Sequence, residues 1–278
     1  MKIKLIAFDL DGTVLRNDKT ISQRTKEALA RAADQGIYVV PATGRTYEGI
    51  PEEIRNLSFL RYVIGINGAL IYDIQEKRVL HRAEMGEEET IRMLTYMESL
   101  PAAVTCYQNG KGWISARVMD EVEAYAPCPE QIPYMKRILT PVENMQETIS
   151  RHGATTQKLQ VFFKEVGLRE QYLQEMQEKF PDYSVSYSLS NNIEVNALEA
   201  NKGSALKFLC EYLQIDPMES MAFGDGTNDT AMIRQAGTGV AMGNAEQEVR
   251  EAADCVTLSN GEDGVAVMLE KLLAEMEQ

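Results

Sequence analysis

Three apolar runs near the start of the chain, residues 3–8, 37–42 and 62–66, each stop on a polar residue, respectively Asp9, Thr43 and Asn67. Runs this short and this nearly continuously apolar are the mark of strands buried on both faces. Between the first two, Ser22 is placed to cap a helix whose Thr25, Leu29, Ala32 and Ala33 share one face, with Gly36 as its stop. A βαβαβ order leaves little choice of topology, because parallel strands with right-handed crossovers are the stable way to bury such runs. Residues 70–72 and 78–80 then read as a small hairpin. The same grammar returns at the other end, with a helix over 204–213, a strand over 220–223, a helix over 227–235 and short strands at Val240-Ala241 and Cys255-Val256. The expected class is therefore α/β, with a parallel sheet assembled from both ends of the chain.

The middle follows a different rule. A helix with an acidic start is expected over 84–100, a hairpin turning at 109–112, a helix over 142–152, a strand over 159–163 and a helix over 168–180. YSVSYSLSNNIEV then alternates, with Tyr183, Val185, Tyr187 and Leu189 on one face, as in a half-buried strand. An inserted α+β domain over 83–190 is expected, flanked by a core of 1–82 and 191–278.

Composition limits the partners. The 278-residue chain is 44% apolar and 25% charged, ordinary for a globular protein, yet its net charge is −14. Nucleic acid and anionic membrane surfaces are bound through basic faces, so neither is an expected partner. An anionic ligand must then be met by local cations or a metal. Cys106, Cys128, Cys210 and Cys255 form no CxxC pair and read as small hydrophobes of a reducing compartment. No run approaches the roughly 20 apolar residues of a membrane span, and Asp9 and Asp11 interrupt the first apolar run before it could serve as a signal peptide. A cytoplasmic location is the expectation.

Taken alone, FDLDGT could be a hairpin turn, since Asp-Gly is a strong signal for one. Position in the sheet argues otherwise. In open α/β sheets ligands bind beyond the carboxyl ends of the strands, near the point where strand order reverses. That rule gathers Asp9 and Asp11, then Thr43-Gly44-Arg45, then GDGTND at 224–229. Four acids, Asp9, Asp11, Asp225 and Asp229, are expected to converge, and such a cluster cannot stay ionised without cations. A calcium loop counted from Asp9 would need glycine where Val14 stands and glutamate where Thr20 stands; counted from Asp225 it meets Thr230 and Ala236. Both fail. Mg²⁺ suits the set better, because it takes one or two carboxylates and leaves positions for water and a substrate phosphate. Lys202 would supply fixed positive charge to a phosphoryl group, and backbone N–H groups near Gly12 and Gly44 would complete a cradle.

In order, DLDGT at 9–13, Thr43 followed by Gly44-Arg45, Lys202, and GDGTND at 224–229 resemble the four motifs of the haloacid dehalogenase superfamily of phosphatases. INGALIYD and the later run GVAMGNAEQEVREAADCVTLSNGEDGVAVML resemble its Cof-type subfamily, whose large α/β cap lies between the second and third motifs. The resemblance implies a Rossmann-like core, an inserted cap that selects substrate, and an Mg²⁺-dependent phosphatase acting on a small phosphorylated metabolite such as a sugar phosphate. It implies Asp9 as the nucleophile that becomes an aspartyl-phosphate and Asp11 as general acid and then base. Mg²⁺ would be held by Asp9, the Asp11 carbonyl, Asp225 and Asp229. Thr43, Gly44, Lys202, Asn228 and the Leu10 backbone would hold the phosphoryl oxygens.

Three other readings use the same residues: a phosphomutase of the same superfamily, a phospho-accepting receiver-like switch, and an idle binding protein. A receiver domain lacks an inserted cap and the DxDGT spacing; the intact motif set opposes an idle protein. His81 and His152 read as boundary residues, Trp113 as a core anchor of the inserted domain with a substrate platform as the alternative, and Arg45 as a support of the loop after Thr43.

Overall fold

The computed structural model describes residues 3–153 and 155–276. Its first part runs β1 (Leu5–Phe8), α1 (Gln23–Asp34), β2 (Tyr38–Pro41), the short α2 (Glu52–Arg55), β3 (Tyr62–Gly65), β4 (Leu70–Asp73) and β5 (Arg78–Arg82). Every residue of β1 is buried. Ser22 caps α1 by accepting from the Thr25 N–H, and Thr25, Ala28, Leu29 and Ala32 form its buried face. Gly36 follows at φ +79°, a left-handed conformation that ends the helix without a side-chain clash.

The chain continues through α3 (Glu87–Glu98), β6 (Ala102–Gln108), β7 (Lys111–Ser115), α4 (Ala116–Met119), α5 (Ile132–Ile138), β8 (Leu139–Val142) and α6 (Met145–Arg151). Then come β9 (Lys158–Phe163), α7 (Leu168–Lys179), β10 (Tyr183–Ser186) and β11 (Asn192–Ala197). The last stretch is α8 (Lys202–Leu213), β12 (Ser220–Gly224), α9 (Thr230–Gln235), β13 (Thr238–Ala241), α10 (Gln247–Ala252), β14 (Cys255–Val256) and α11 (Gly264–Met276).

Two compact units result, one of residues up to 44, 50–81 and from 201 onward, the other of 45–49 and 82–200. In the first, five parallel strands lie in the order β14-β13-β12-β1-β2, and β3-β4-β5 form a second, three-stranded sheet. The chain leaves β1 toward β2 on one side and returns to β12 on the other, so strand order reverses at β1. Registers pair Phe8 with Phe223 and with Pro41, which brings the carboxyl ends of all three strands level. Leu5, Ala7, Val40, Ile64, Leu206, Leu209 and Met232 pack as part of one buried cluster. Each large aliphatic there contributes about 1.5–3 kcal/mol by leaving water, so strands and α8 hold one another in place.

The second unit is built on a six-stranded sheet, β10-β11-β9-β6-β7-β8. Its β6–β7 hairpin turns on Asn109 (φ 52°) and Gly110 (φ 75°), the pair of left-handed residues such a two-residue turn requires. Inside it, Lys158 Nζ lies 3.2 Å from Glu194 Oε1, and both side chains are only 4% exposed. Gln160 (3.1 Å), Ser188 (2.8 Å) and Asn192 (3.3 Å) donate to the same oxygen.

Two expectations change here. The alternating stretch after Tyr183 is two antiparallel strands, β10 and β11, not one, because the Asn192 side chain accepts from the Ser188 and Leu189 N–H groups and folds the chain back. Since β11 pairs with β9, the second unit runs to residue 200, beyond the expected 190, and it also takes in residues 45–49. Among the described residues no helix is long and apolar enough to cross a membrane.

Candidate active site

The site grows from the first unit alone. Asp9 directly follows β1 and is 6% exposed. GDGTND leaves β12, turns through a 3₁₀ segment at Thr227–Asp229 and enters α9. Asp229 is pinned within that turn, its Oδ2 accepting from the N–H groups of Asp225 (3.0 Å) and Gly226 (3.1 Å). Lys202 is the first residue of α8, whose Asn201 cap accepts from Ser204 N at 2.8 Å. Close packing brings the lysine inward: a Cβ on Gly203 would stand 2.4 Å from the Ala231 carbonyl oxygen, so only glycine lets α8 approach α9 there. Fully buried, Lys202 Nζ donates to Asp9 Oδ1 at 2.5 Å and Asp229 Oδ1 at 2.6 Å.

Three carboxylates converge. Oxygens of Asp9, Asp225 and Asp229 lie within 4.8 Å of one another. The expected fourth acid does not join them. Asp11 sits in the turn leaving β1, and its Oδ1 lies 3.0 Å from Lys19 Nζ on the exposed side of that turn. Gly12, at φ +86°, makes this turn possible, and a Cβ there would meet Asp225 Oδ2 at 2.1 Å.

Burial raises Asp9 well above the usual carboxylate range; Lys202 opposes this, while Asp229, Asp225 and Asp11 add to it. Asp225 is pushed up to about 7, mainly by burial and then by Asp229, against a hydrogen bond from Thr13 Oγ1 at 2.8 Å. Burial works against the charge of Lys202, but Asp229 and Asp9 outweigh it and hold the ammonium above its ordinary range. One lysine thus faces three crowded carboxylates. A hard, oxygen-seeking divalent cation is the group this donor set fits, since it would let all three acids ionise together.

The remaining expected residues lie at neighbouring strand ends. Thr43 is 1% exposed; its N–H donates to the Ile64 carbonyl at 2.9 Å, and its own carbonyl accepts from Asn67 N at 3.0 Å. A Cβ on Gly44 would come within 2.8 Å of Asn67 Oδ1, and Asn228 Nδ2 donates to that same oxygen at 3.2 Å. The Leu10 carbonyl accepts from Leu15 N at 2.9 Å and anchors the turn. Arg45 donates to the Gly49 carbonyl at 3.0 Å and lies over the Tyr134 ring, supporting its loop. His81 packs at a tilt against Phe208, while Trp113 is buried against His152; neither His81, Trp113 nor His152 belongs to this cluster.

Two amides escaped the reading by spacing, Asn67 and Asn244. Asn244 Nδ2 donates to the Gly12 carbonyl at 2.8 Å and reaches Asp225 Oδ2 at 3.4 Å, while its Oδ1 accepts from Asn260 N at 2.9 Å. Asn260 Nδ2 in turn holds the Leu15 carbonyl at 2.8 Å. Both asparagines stand in the C-terminal run GVAMGNAEQEVREAADCVTLSNGEDGVAVML, which carries no acid of the cluster and so offered no chemical signal of its own.

A reversing parallel sheet with acids, lysine and threonine at its carboxyl end is an α/β architecture suited to phosphoryl chemistry. Residues 6–269 match the haloacid dehalogenase-like hydrolases. The phosphatase YwpJ of Bacillus subtilis strain 168 is 31% identical over 298 residues, covering 98% of this chain and 100% of its own. The 5-amino-6-(5-phospho-D-ribitylamino)uracil phosphatase YcsE of the same organism is 34% identical, covering 95% and 93%. A haloacid dehalogenase-like hydrolase structure from B. subtilis superposes with a TM-score of 0.83 at 30% identity, covering 96% and 99%. The chain belongs to the haloacid dehalogenase-like hydrolase family, in its Cof-type subclass, and is a phosphatase.

Proposed function

We propose that this phosphatase is Mg²⁺-dependent and hydrolyses a small phosphorylated metabolite, a sugar or polyol phosphate, in the cytoplasm through an aspartyl-phosphate on Asp9. The observation that carries the reading is the convergence of Asp9, Asp225 and Asp229 around Lys202 at the point where strand order reverses. The polyol class is favoured by the phosphoribityl group in the name of the 34% identical relative.

In the first step a carboxylate oxygen of Asp9 attacks phosphorus, the bond to the substrate alcohol breaks, and Asp11 gives that alcohol a proton. In the second, Asp11 takes a proton from water, whose oxygen attacks phosphorus and frees Asp9 and inorganic phosphate. To serve, Asp11 must leave Lys19, an exposed contact that costs little to break. Lys202 holds negative charge on Asp9 and then on the phosphoryl oxygens, which Thr43, the Gly44 and Leu10 N–H groups and Asn228 also bind. Asp9, Asp225, Asp229 and the Asp11 carbonyl would hold Mg²⁺, which when bound neutralises charge between nucleophile and phosphate. The inserted unit, with its buried Lys158–Glu194 pair, is assigned the choice of alcohol.

A panel of phosphorylated metabolites, assayed for phosphate release with Mg²⁺ and with EDTA, tests the reading. Release from sugar or polyol phosphates that EDTA abolishes is expected. Inactivity across the panel, or conversion of one sugar phosphate isomer into another without release, overturns it.

A further inference from the structure

Ile66, Asn67 and Gly68, just after β3, all have positive φ, at 52°, 57° and 95°. A β-branched residue in this region is a genuine outlier, and residues held so cost on the order of 1–3 kcal/mol each unless their surroundings impose it. Here the surroundings are the expected phosphate-holding groups. The Asn67 N–H donates to the Thr43 carbonyl at 3.0 Å, and its Oδ1 accepts from Asn228 at 3.2 Å. That same oxygen lies against Gly44 so closely that a Cβ there would be 2.8 Å away. Next in the chain, Gly68 packs on the Asn201 carbonyl, where a Cβ would be 2.3 Å off, and Asn201 caps the helix that Lys202 begins. This turn, which itself follows β3, therefore touches the loops after β2 and β12 and the start of α8. With 6% exposure, the Asn67 side chain spends its polar atoms inside the protein.

We propose that Asn67 is a positioning residue of the phosphatase site: its left-handed turn and its Oδ1 set the Thr43-Gly44 loop and the Asn228 amide to one phosphoryl group. The inference rests on the function proposed above and adds a residue to it. Asparagine suits the place because it tolerates left-handed backbone better than other non-glycine residues while carrying an acceptor. Asn228 needs that acceptor, for an amide without it is free to swing away from the phosphoryl oxygens.

Asn67→Gly separates backbone from side chain, since glycine keeps the left-handed conformation and removes the amide side chain with its Oδ1. With p-nitrophenyl phosphate and saturating Mg²⁺, kcat should fall on the order of ten- to a hundredfold, the usual effect of misplacing a reacting group. The inhibition constant of inorganic phosphate should rise in parallel while the melting temperature holds. Asn67→Ala should lose the same kcat factor and stability as well. Combining Asn67→Gly with Asn228→Ala should cost no more than the worse single change, because both act through one amide. Wild-type kcat and phosphate inhibition in Asn67→Gly, or additive losses in the double variant, overturn the inference. Calorimetric titration of inorganic phosphate into wild type and Asn67→Gly reads the same effect without turnover. A wild type that binds phosphate but releases none from any ester overturns the proposed function instead.

Discussion

Lys202 and Lys158 are both buried lysines held by carboxylates, yet their surroundings differ in charge. Lys158 meets Glu194, one positive group for one negative, and the amides and hydroxyl of Gln160, Asn192 and Ser188 crowd the same carboxylate oxygen. Lys202 meets Asp9 and Asp229 while Asp225 stands close by, so acids outnumber it. The pair in the inserted unit is balanced. The cluster at the strand ends is a charge imbalance kept at a cost, and a raised Asp225 is the sign of that cost. Burial alone thus does not mark a working site; an uncompensated excess of one charge at a sheet's carboxyl end does.

The contrast predicts very different variants. Lys202→Met should lower kcat on the order of a hundredfold or more, as loss of a charge-stabilising donor does, in a steady-state assay of phosphate release. Glu194→Gln, by comparison, should keep kcat on p-nitrophenyl phosphate within about twofold while costing roughly 3 kcal/mol of stability, because the buried Lys158 loses the charge of the Glu194 carboxylate. Denaturant unfolding and the same assay separate these outcomes, and a large kcat loss in Glu194→Gln would erase the distinction.

A smaller effect is expected at Asn244, which touches both the Gly12 carbonyl and Asp225. Asn244→Ala should raise the Mg²⁺ dissociation constant about tenfold, the usual result of removing a partner of a metal ligand, read by calorimetric titration without substrate.

The smallest effect is on stability against pH. Asp225 titrates near 7 in the folded chain against an ordinary value of 3.8, so the metal-free fold holds a proton that the unfolded chain has lost. Its contribution is fully present below about pH 4 and disappears as pH rises through about 7. Because Mg²⁺ needs the ionised carboxylate, the rise in melting temperature on adding Mg²⁺ should be larger at about pH 8 than at about pH 5.5. Scanning calorimetry at both pH values checks this, and an equal rise would mean that the acids are already ionised without metal.

How much of this was legible depends on how local each signal is. The strands and helices of the first unit could be read because fully apolar runs and the Ser22 cap are local features. The region 116–138 could not, since α4 has no buried residue and α5 only Met135. The β10–β11 turn hid behind an alternation that continues across it, until the Asn192 side chain is seen to reverse the chain. At the site, Asp9, Asp225, Asp229, Thr43 and Lys202 announced themselves by chemistry and by place after a strand or before a helix. That the Asp11 carboxylate meets Lys19 and stands apart from the three clustered acids was not legible, because spacing alone does not reveal where the turn at Gly12 aims it. Asn67 and Asn244 stand on other loops and act through hydrogen bonds across 161 and 232 residues of sequence, a separation that no local pattern encodes.

The central claim is that turnover runs through the Asp9 carboxylate. Phosphate release by wild type and by Asp9→Asn, which keeps the side chain's shape and removes the nucleophile, tests it directly when both proteins have the same Mg²⁺ and a sugar phosphate substrate. Metal-dependent release by wild type with Asp9→Asn at background is the predicted result. Phosphate release by Asp9→Asn at a rate near that of wild type would contradict it.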